Sequence, residues 1–302
     1  VRVLLTGATG FVGDAVTARL LAAGHAVTAL SRDPAAARAR LPEAVEILPW
    51  KPASGPLTLP ANLDAVIHLA GASIAGGRWT ASRKRKLWSS RVDGTRALVA
   101  ALAATGRFPE AFVCASGMGY HGDAGDCAVL PGDPPGGDFL GRLAAAWEAE
   151  ANKATNFGAR VVCVRLGMVL GREGGALPPQ ILATRFGLGA VLGKGDQYWP
   201  WIRVGAAADL FLEAASDPRI TGPVHAAAGA PLTQGEFVRA LGAALRRPVW
   251  FRIPAWVLRL GLGEMADLFL HGQKVVLEPG RPGGENAGDS LSAALRDLLD
   301  PR

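Results

Sequence analysis

The chain has no long apolar run. None of its segments approaches the roughly 18 to 20 consecutive apolar residues that a bilayer span requires. The first apolar stretch, VRVLL, is too short and too soon broken by glycine to be a secretion signal. These absences predict a cytoplasmic protein with no membrane partner. Cysteine is scarce: Cys114, Cys127 and Cys163 are too few and too scattered for a disulfide framework. Cys114 and Cys163 sit inside the apolar runs AFVCAS and RVVCVRL, which predicts reduced core residues. The five histidines show neither His-x-x-His nor Glu-x-x-His spacing, so no metal is expected. Tyrosine occurs twice, as Tyr120 and Tyr198, and there are no internal repeats or low-complexity tracts.

With 49% hydrophobic and 19% charged residues over 302 positions, the composition is that of one or two packed domains. Lysine and arginine outnumber aspartate and glutamate by 32 to 26, giving a net charge of +6. The densest basic run, Arg78 to Arg91, interleaves tryptophans but reads as one solvated helix face. A basic surplus also suits a small polyanionic ligand, so no nucleic-acid partner is expected.

Short β-rich runs alternate with helical stretches through the first half: VRVLLTG, a helix from Phe11 to Ala23, AVTALS, VEILP, DAVIHLAG, a long helix through RKLWSSRVDGTRALVAALAATG, then AFVCASG. A further helix over about Leu140 to Asn156 and the strand RVVCVRLGMVL continue the series. Such alternation predicts an α/β fold, a Rossmann-type doubly wound parallel sheet, over residues 1–170. Residues 171–302 are expected to form a smaller C-terminal α/β region on the substrate side, with about 201–225 returning to the first domain. There a helix is expected near Ala206 to Ser216, and another after Thr233, with Thr233 and Glu236 as a capping box. EPGRPGGENAGDS, residues 278–290, reads as a mobile loop before a last helix, LSAALRDLL.

LLTGATGFVGDAV places Gly7, Gly10 and Gly13 directly after the first strand and before the first helix, with Thr9, Phe11 and Val12 in the same turn. Gly7 permits a tight turn, Gly10 lets backbone N–H groups approach a pyrophosphate, and Gly13 lets helix pack closely on strand. A dinucleotide is therefore expected at the helix N-terminus. An NAD site carries an acidic residue at the end of the second strand, but AVTALSRDP ends in Ser31 and Arg32, a hydroxyl and a guanidinium that fit the 2′-phosphate of NADP(H). A shift of one residue would instead offer Asp33 to the ribose, leaving Arg32 as a surface charge.

These motifs carry a resemblance over nearly the whole chain. The sequence resembles the extended branch of the short-chain dehydrogenase/reductase superfamily, and within it an atypical NADP-binding subgroup known as epimerase family proteins. The matching stretches are TGATGFVG, VIHLAGASIAGGRWT, SRVDGTRALV, SGMGYHGD, GGDF followed by WEAEA, VRLGMVLGREGGAL, RFGLGAVLGKGDQYWPWI and RIPAWVLRLGLGEMADLFLHGQKVV. The resemblance implies that Leu69, Ala70 and Gly71 line the adenosine and ribose side, and that Gly167 and Val169 approach the nicotinamide. Where ordinary members supply an asparagine, this chain has Arg91, which would reach cofactor phosphate or ribose, or else be a helix-face charge.

Ordinary members also carry a Tyr-x-x-x-Lys pair on the helix after the fifth strand. There the tyrosine moves a proton while the nicotinamide moves hydride. Aligned on Glu148, the tyrosine position holds Leu140 and the lysine position Ala144, neither able to transfer a proton. General acid–base help is worth about 10²- to 10⁴-fold, so hydride transfer is expected to be slow unless another group substitutes. Ser116, which matches the family's Ser/Thr, and Tyr120 are the candidates, with His121 beside them. The plainer alternative has Tyr120 packing under its loop and His121 facing solvent. Arg203 where relatives often carry histidine, and Gly205 and Ala206 in place of common acidic residues, prevent transfer of a substrate. The expected function is an NADP(H)-dependent epimerase or oxidoreductase acting on a small hydroxyl- or carbonyl-bearing substrate, or alternatively a non-catalytic NADP(H)-binding regulator. Monomer and homodimer both stay open.

Overall fold

In the computed structural model, residues 1–52, 59–60, 62–277 and 290–300 are described. Seven strands form one parallel sheet: β1 (Arg2–Thr6), β2 (Ala26–Ser31), β3 (Glu46–Pro49), β4 (Ala65–His68), β5 (Ala111–Gly117), β6 (Arg160–Leu166) and β7 (Gly222–Ala226). Their order is β7-β6-β5-β4-β1-β2-β3, the Rossmann arrangement with its reversal between β1 and β4. β1, β4, β5 and β6 are almost wholly buried because helices cover both faces, which is why they read as unbroken apolar runs rather than alternating ones. β7 comes from beyond residue 171, and the helix before it, Val204–Ser216, packs on the helix Phe11–Ala22.

The predicted strand RVVCVRLGMVL is not one element. It leaves the sheet at Gly167, and Met168–Leu170 pairs instead with Trp201–Arg203. A Cβ at Gly167 would stand 2.6 Å from the Pro200 carbonyl oxygen, so glycine is what lets the two chains cross there. The long helix is also composite: Ala81–Trp88 and Gly94–Ala104 are joined by one wider, π-helical turn, Ser89–Asp93. The helix Phe139–Asn152 starts where the Asp138 carboxylate accepts from the Gly141 N–H (2.7 Å), and ends in a tighter turn closed by Gly158 at φ +84°.

A second, smaller core joins Trp199, Trp201, Phe237 and Leu241 to Leu291 and Leu295 of the last helix, Leu291–Leu299. Its central helix, Gln234–Ala244, begins with the expected reciprocal cap between Thr233 and Glu236. The predicted loop at residues 278–290 lies outside the described residues except for Ser290, which caps the last helix.

Candidate functional site

The turn after β1 is built for an anion. Gly7 takes φ +75°, and a Cβ there would meet the backbone of Leu69 and Ala70 at about 3 Å, so the β1 and β4 loops touch main chain to main chain. A Cβ at Gly13 would collide with the Gly7 carbonyl. The helix Phe11–Ala22 begins at Gly10 with no side-chain cap, which leaves the first-turn N–H groups around Phe11, Val12 and Gly13 without a side-chain acceptor at the positive end of the helix. Thr9 stands part-exposed in the turn. The Phe11 ring lies in a seat formed by Gly171, Gly174 and Gly175, where any Cβ would overlap it.

At the end of β2 the two readings of the sequence separate. The Asp33 carboxylate caps the short helix Pro34–Arg38 by accepting from the Ala36 N–H at 3.0 Å, and Ser31 Oγ holds the same turn through the Asp33 backbone. Asp33 is thus committed to local structure, whereas Arg32 is exposed and has no partner among the described residues.

Leu69, Ala70 and Gly71 follow β4 at the reversal point of the sheet. The Ala70 N–H donates to Thr6 Oγ1 (3.1 Å), and Thr6 in turn contacts His68 Nδ1 (2.6 Å). Arg91 sits in the π-helical turn. It donates to the Ala72 carbonyl (3.0 Å), lies against Gly71 and stacks on Trp147 with 5.1 Å to the ring. Burial, with Arg83 nearby, lowers its pKa to about 10. It is therefore an inward-facing group beside the expected ribose position and not a helix-face charge. In the same basic run Trp79 is buried and donates its indole N–H to the Ile74 carbonyl, which removes it as a stacking platform for bases.

Past the sheet's carboxyl edge lies the position of the missing tyrosine. Leu140 sits in the first turn of its helix against Gly119, and Ala144 is buried one turn on. Ser116 Oγ donates to Glu148 at 2.6 Å, and Glu148 is gripped at both oxygens by Arg165, each contact 2.8 Å. Arg165, on β6, is fully buried, lies 3.4 Å over the Tyr120 ring and also donates to the Pro131 carbonyl. Tyr120 therefore packs as a lid on a guanidinium.

His121 does not face solvent, contrary to the plainer alternative. It is 8% exposed, with its Nε2 2.9 Å from that of His225 on β7. Burial, followed by the Arg165 charge, lowers the His121 pKa to about 4. His225 falls to about 3 through burial, then His121 and Arg165. Both rings are neutral near pH 7, and the Nδ1 atom of each is buried with no partner among the described residues.

His271 was not singled out in the sequence. Its Nδ1 lies 3.1 Å from Asp138 and its Nε2 3.6 Å from Asp267, too far for a hydrogen bond. The Asp138 contact raises its pKa above the ordinary value. Both carboxylates line a small cleft with Trp79, Phe139, Leu140 and Glu264. Among the described residues there is no cluster of three metal-ligating side chains, and no helix is long and apolar enough to cross a membrane.

Residues 3–225 match the model of the NAD dependent epimerase/dehydratase family, and residues 253–278 match a domain of unknown function, DUF1731. Epimerase family protein SDR39U1 of Mus musculus is 38% identical over 99% of both chains. Epimerase family protein Mb2239 of Mycobacterium bovis is 37% identical over 91% of this chain and 89% of its own. Among solved structures, human SDR39U1 (isoform 2) with NADPH superposes at a TM-score of 0.84, with 33% identity and 99% of each chain covered. UDP-glucose 4-epimerase of Thermotoga maritima, at 15% identity and a TM-score of 0.76 over 99% and 97% of the two chains, shares the fold. On the family match and these relatives, the chain belongs to the NAD dependent epimerase/dehydratase family.

Proposed function

We propose that the chain binds NADP(H) across the carboxyl edge of the sheet and acts as an oxidoreductase or epimerase on a small hydroxyl- or carbonyl-bearing substrate. The observation that carries the cofactor choice is the contrast at the end of β2, where Asp33 is spent as a helix cap and Arg32 is exposed with no partner among the described residues, open to a 2′-phosphate. The uncapped helix N-terminus would hold the pyrophosphate, Leu69 to Gly71 and Arg91 the ribose side, and Gly167 with Val169 the nicotinamide side. A relative crystallised with NADPH supports the reading. Bound there, the cofactor supplies hydride chemistry. This chain's own residues supply position and a proton. The Ser116 hydroxyl is spent on Glu148 and the Tyr120 ring lies against Arg165; His271, beside the cleft at Leu140 and with its pKa raised by Asp138, is the group we assign to exchange that proton. In this reading residues 1–170 with about 201–225 handle the cofactor, and the remainder of 171–302 shapes the substrate side.

Calorimetry with NADP(H) and NAD(H), then anaerobic single-turnover oxidation of bound NADPH by a panel of aldehydes and ketones, tests this. Binding with turnover that slows in His271→Gln supports it, and failure to bind NADPH removes it. A second reading, a non-catalytic NADP(H) sensor, is favoured by Leu140, Ala144 and the engaged Ser116 hydroxyl. Tight binding with a clear preference between NADP⁺ and NADPH and no turnover would select it.

A further inference from the structure

The small C-terminal region bears an apolar face that none of the described residues covers. Trp250 is 82% exposed, Phe186 76%, Leu260 73% and Trp256 68%, and Leu182 and Leu188 are exposed with them. Strand pairing places them on the same two paired segments of the region. Phe251–Ile253 pairs in parallel with Ala190–Leu192, and Gly189 packs on Val249, which brings the chain around Phe186 and Leu188 beside Trp250. The helix Ala255–Leu262 follows at once, with Trp256 and Leu260 one turn apart on the same stripe. A surface helix normally turns such a stripe to the core, yet this one buries none of its residues. Single exposed apolar residues are ordinary, but a contiguous set marks an interaction surface.

Charge separates the possible occupants. The stretches that bear the face, 182–188 and 246–260, hold five arginines and no Asp or Glu, with Glu173, Asp196, Glu236 and Glu264 lying outside them in sequence and Arg259 paired to Asp267. Arg185, Arg246, Arg247 and Arg252 are all exposed around the face. A second copy docked face to face would bring these arginines against their own counterparts. Nucleic acid would use the arginines and tryptophans but not Leu182, Leu188 and Leu260. A membrane surface uses all three kinds: aliphatic side chains enter the acyl boundary, tryptophans sit at headgroup level, and arginines meet lipid phosphates. No described helix is long enough to span, so the contact is one of lying on the surface. Against the sequence expectation of no membrane partner, we infer that this face docks the protein onto an anionic lipid surface.

Co-sedimentation of the full-length protein with phosphatidylcholine vesicles, and with vesicles of equal phosphatidylcholine and phosphatidylglycerol, tests the inference. Binding is expected to the mixed vesicles only, released by high salt and accompanied by a blue shift of tryptophan emission. Trp250→Ala and Trp256→Ala should each weaken it by about tenfold, and Arg246→Ala and Arg247→Ala by about fivefold each. Circular dichroism and the melting midpoint should stay as in the parent, because these side chains touch solvent. The proposal is overturned by no preference for the anionic vesicles, or by variants that bind as the parent does. It is equally overturned if chromatography gives a dimer that Trp256→Ala dissolves, or if duplex DNA retention depends on the same residues.

Discussion

The two ends of the expected cofactor cleft use polar groups in opposite ways. Around the first helix, donors are left open: Gly10 provides no side-chain cap, and Arg32 has no partner among the described residues. Along the sheet side of the helix Phe139–Asn152, by contrast, the polar groups are tied to one another. Ser116 serves Glu148, Glu148 serves Arg165, and Arg165 covers Tyr120. The first end is arranged for a ligand to complete it, whereas the second completes itself. Buried histidines run the other way. His68, near the first end, has both ring nitrogens bonded, by Thr6 and Thr95, while His121 and His225 share one contact and leave both Nδ1 atoms with no partner among the described residues.

The largest expected effect breaks the self-sufficient end. Glu148→Gln leaves the Arg165 guanidinium buried without its counter-charge, at a cost of roughly 3 to 5 kcal/mol. A urea titration should show that loss with NADPH affinity little changed. If the loss is under about 1 kcal/mol, the network is not a structural brace.

Acid should find both ends. The folded-state pKa values of His68 and His121 are about 4 and that of His225 about 3, against 6.5 in an unfolded chain. As pH falls below about 6.5 the unfolded chain takes up protons that the folded rings refuse, so stability is full above that value and drains away down to pH 3 to 4. His68→Asn should flatten part of that slope, read as the urea midpoint against pH. An unchanged slope would mean that His68 does not contribute.

Arg32→Ala addresses the open end alone. NADPH should weaken at least tenfold, as a lost charge-assisted contact of about 1.5 to 3 kcal/mol implies, with NADH and the melting midpoint unmoved. Equal affinities by calorimetry in the variant and the parent would return the ribose to Asp33. The smallest effect is a control in neither end: Thr233→Ala removes a helix cap in the second core and should lower stability by about 1 kcal/mol without touching cofactor affinity or the pH slope.

What was legible in the sequence is what depends on near neighbours. Gly7, Gly10 and Gly13 stand at fixed spacing after a strand, and Thr233 with Glu236 spells a capping box, so both could be read directly. The strands of the sheet were readable because full burial leaves an apolar run. The kink at Gly167 was not, since it depends on Pro200, 33 positions away. His121 and His225 are separated by 104 positions and His271 and Asp138 by 133, and no local pattern announces such meetings. One sign was present: Arg165 is a lone charge in the run VVCVRL, and a charge inside a buried strand must find an opposite one.

The seat of Phe11 constrains how this lineage can change. Gly171, Gly174 and Gly175 press main chain against the ring, so on that side the fit cannot be adjusted by small side-chain exchanges. Any methyl added at those three positions strikes the ring, while a smaller residue at position 11 leaves a hole the size of a phenyl group. The four positions are therefore inherited as a block, and across diverging homologues they should be replaced together or not at all.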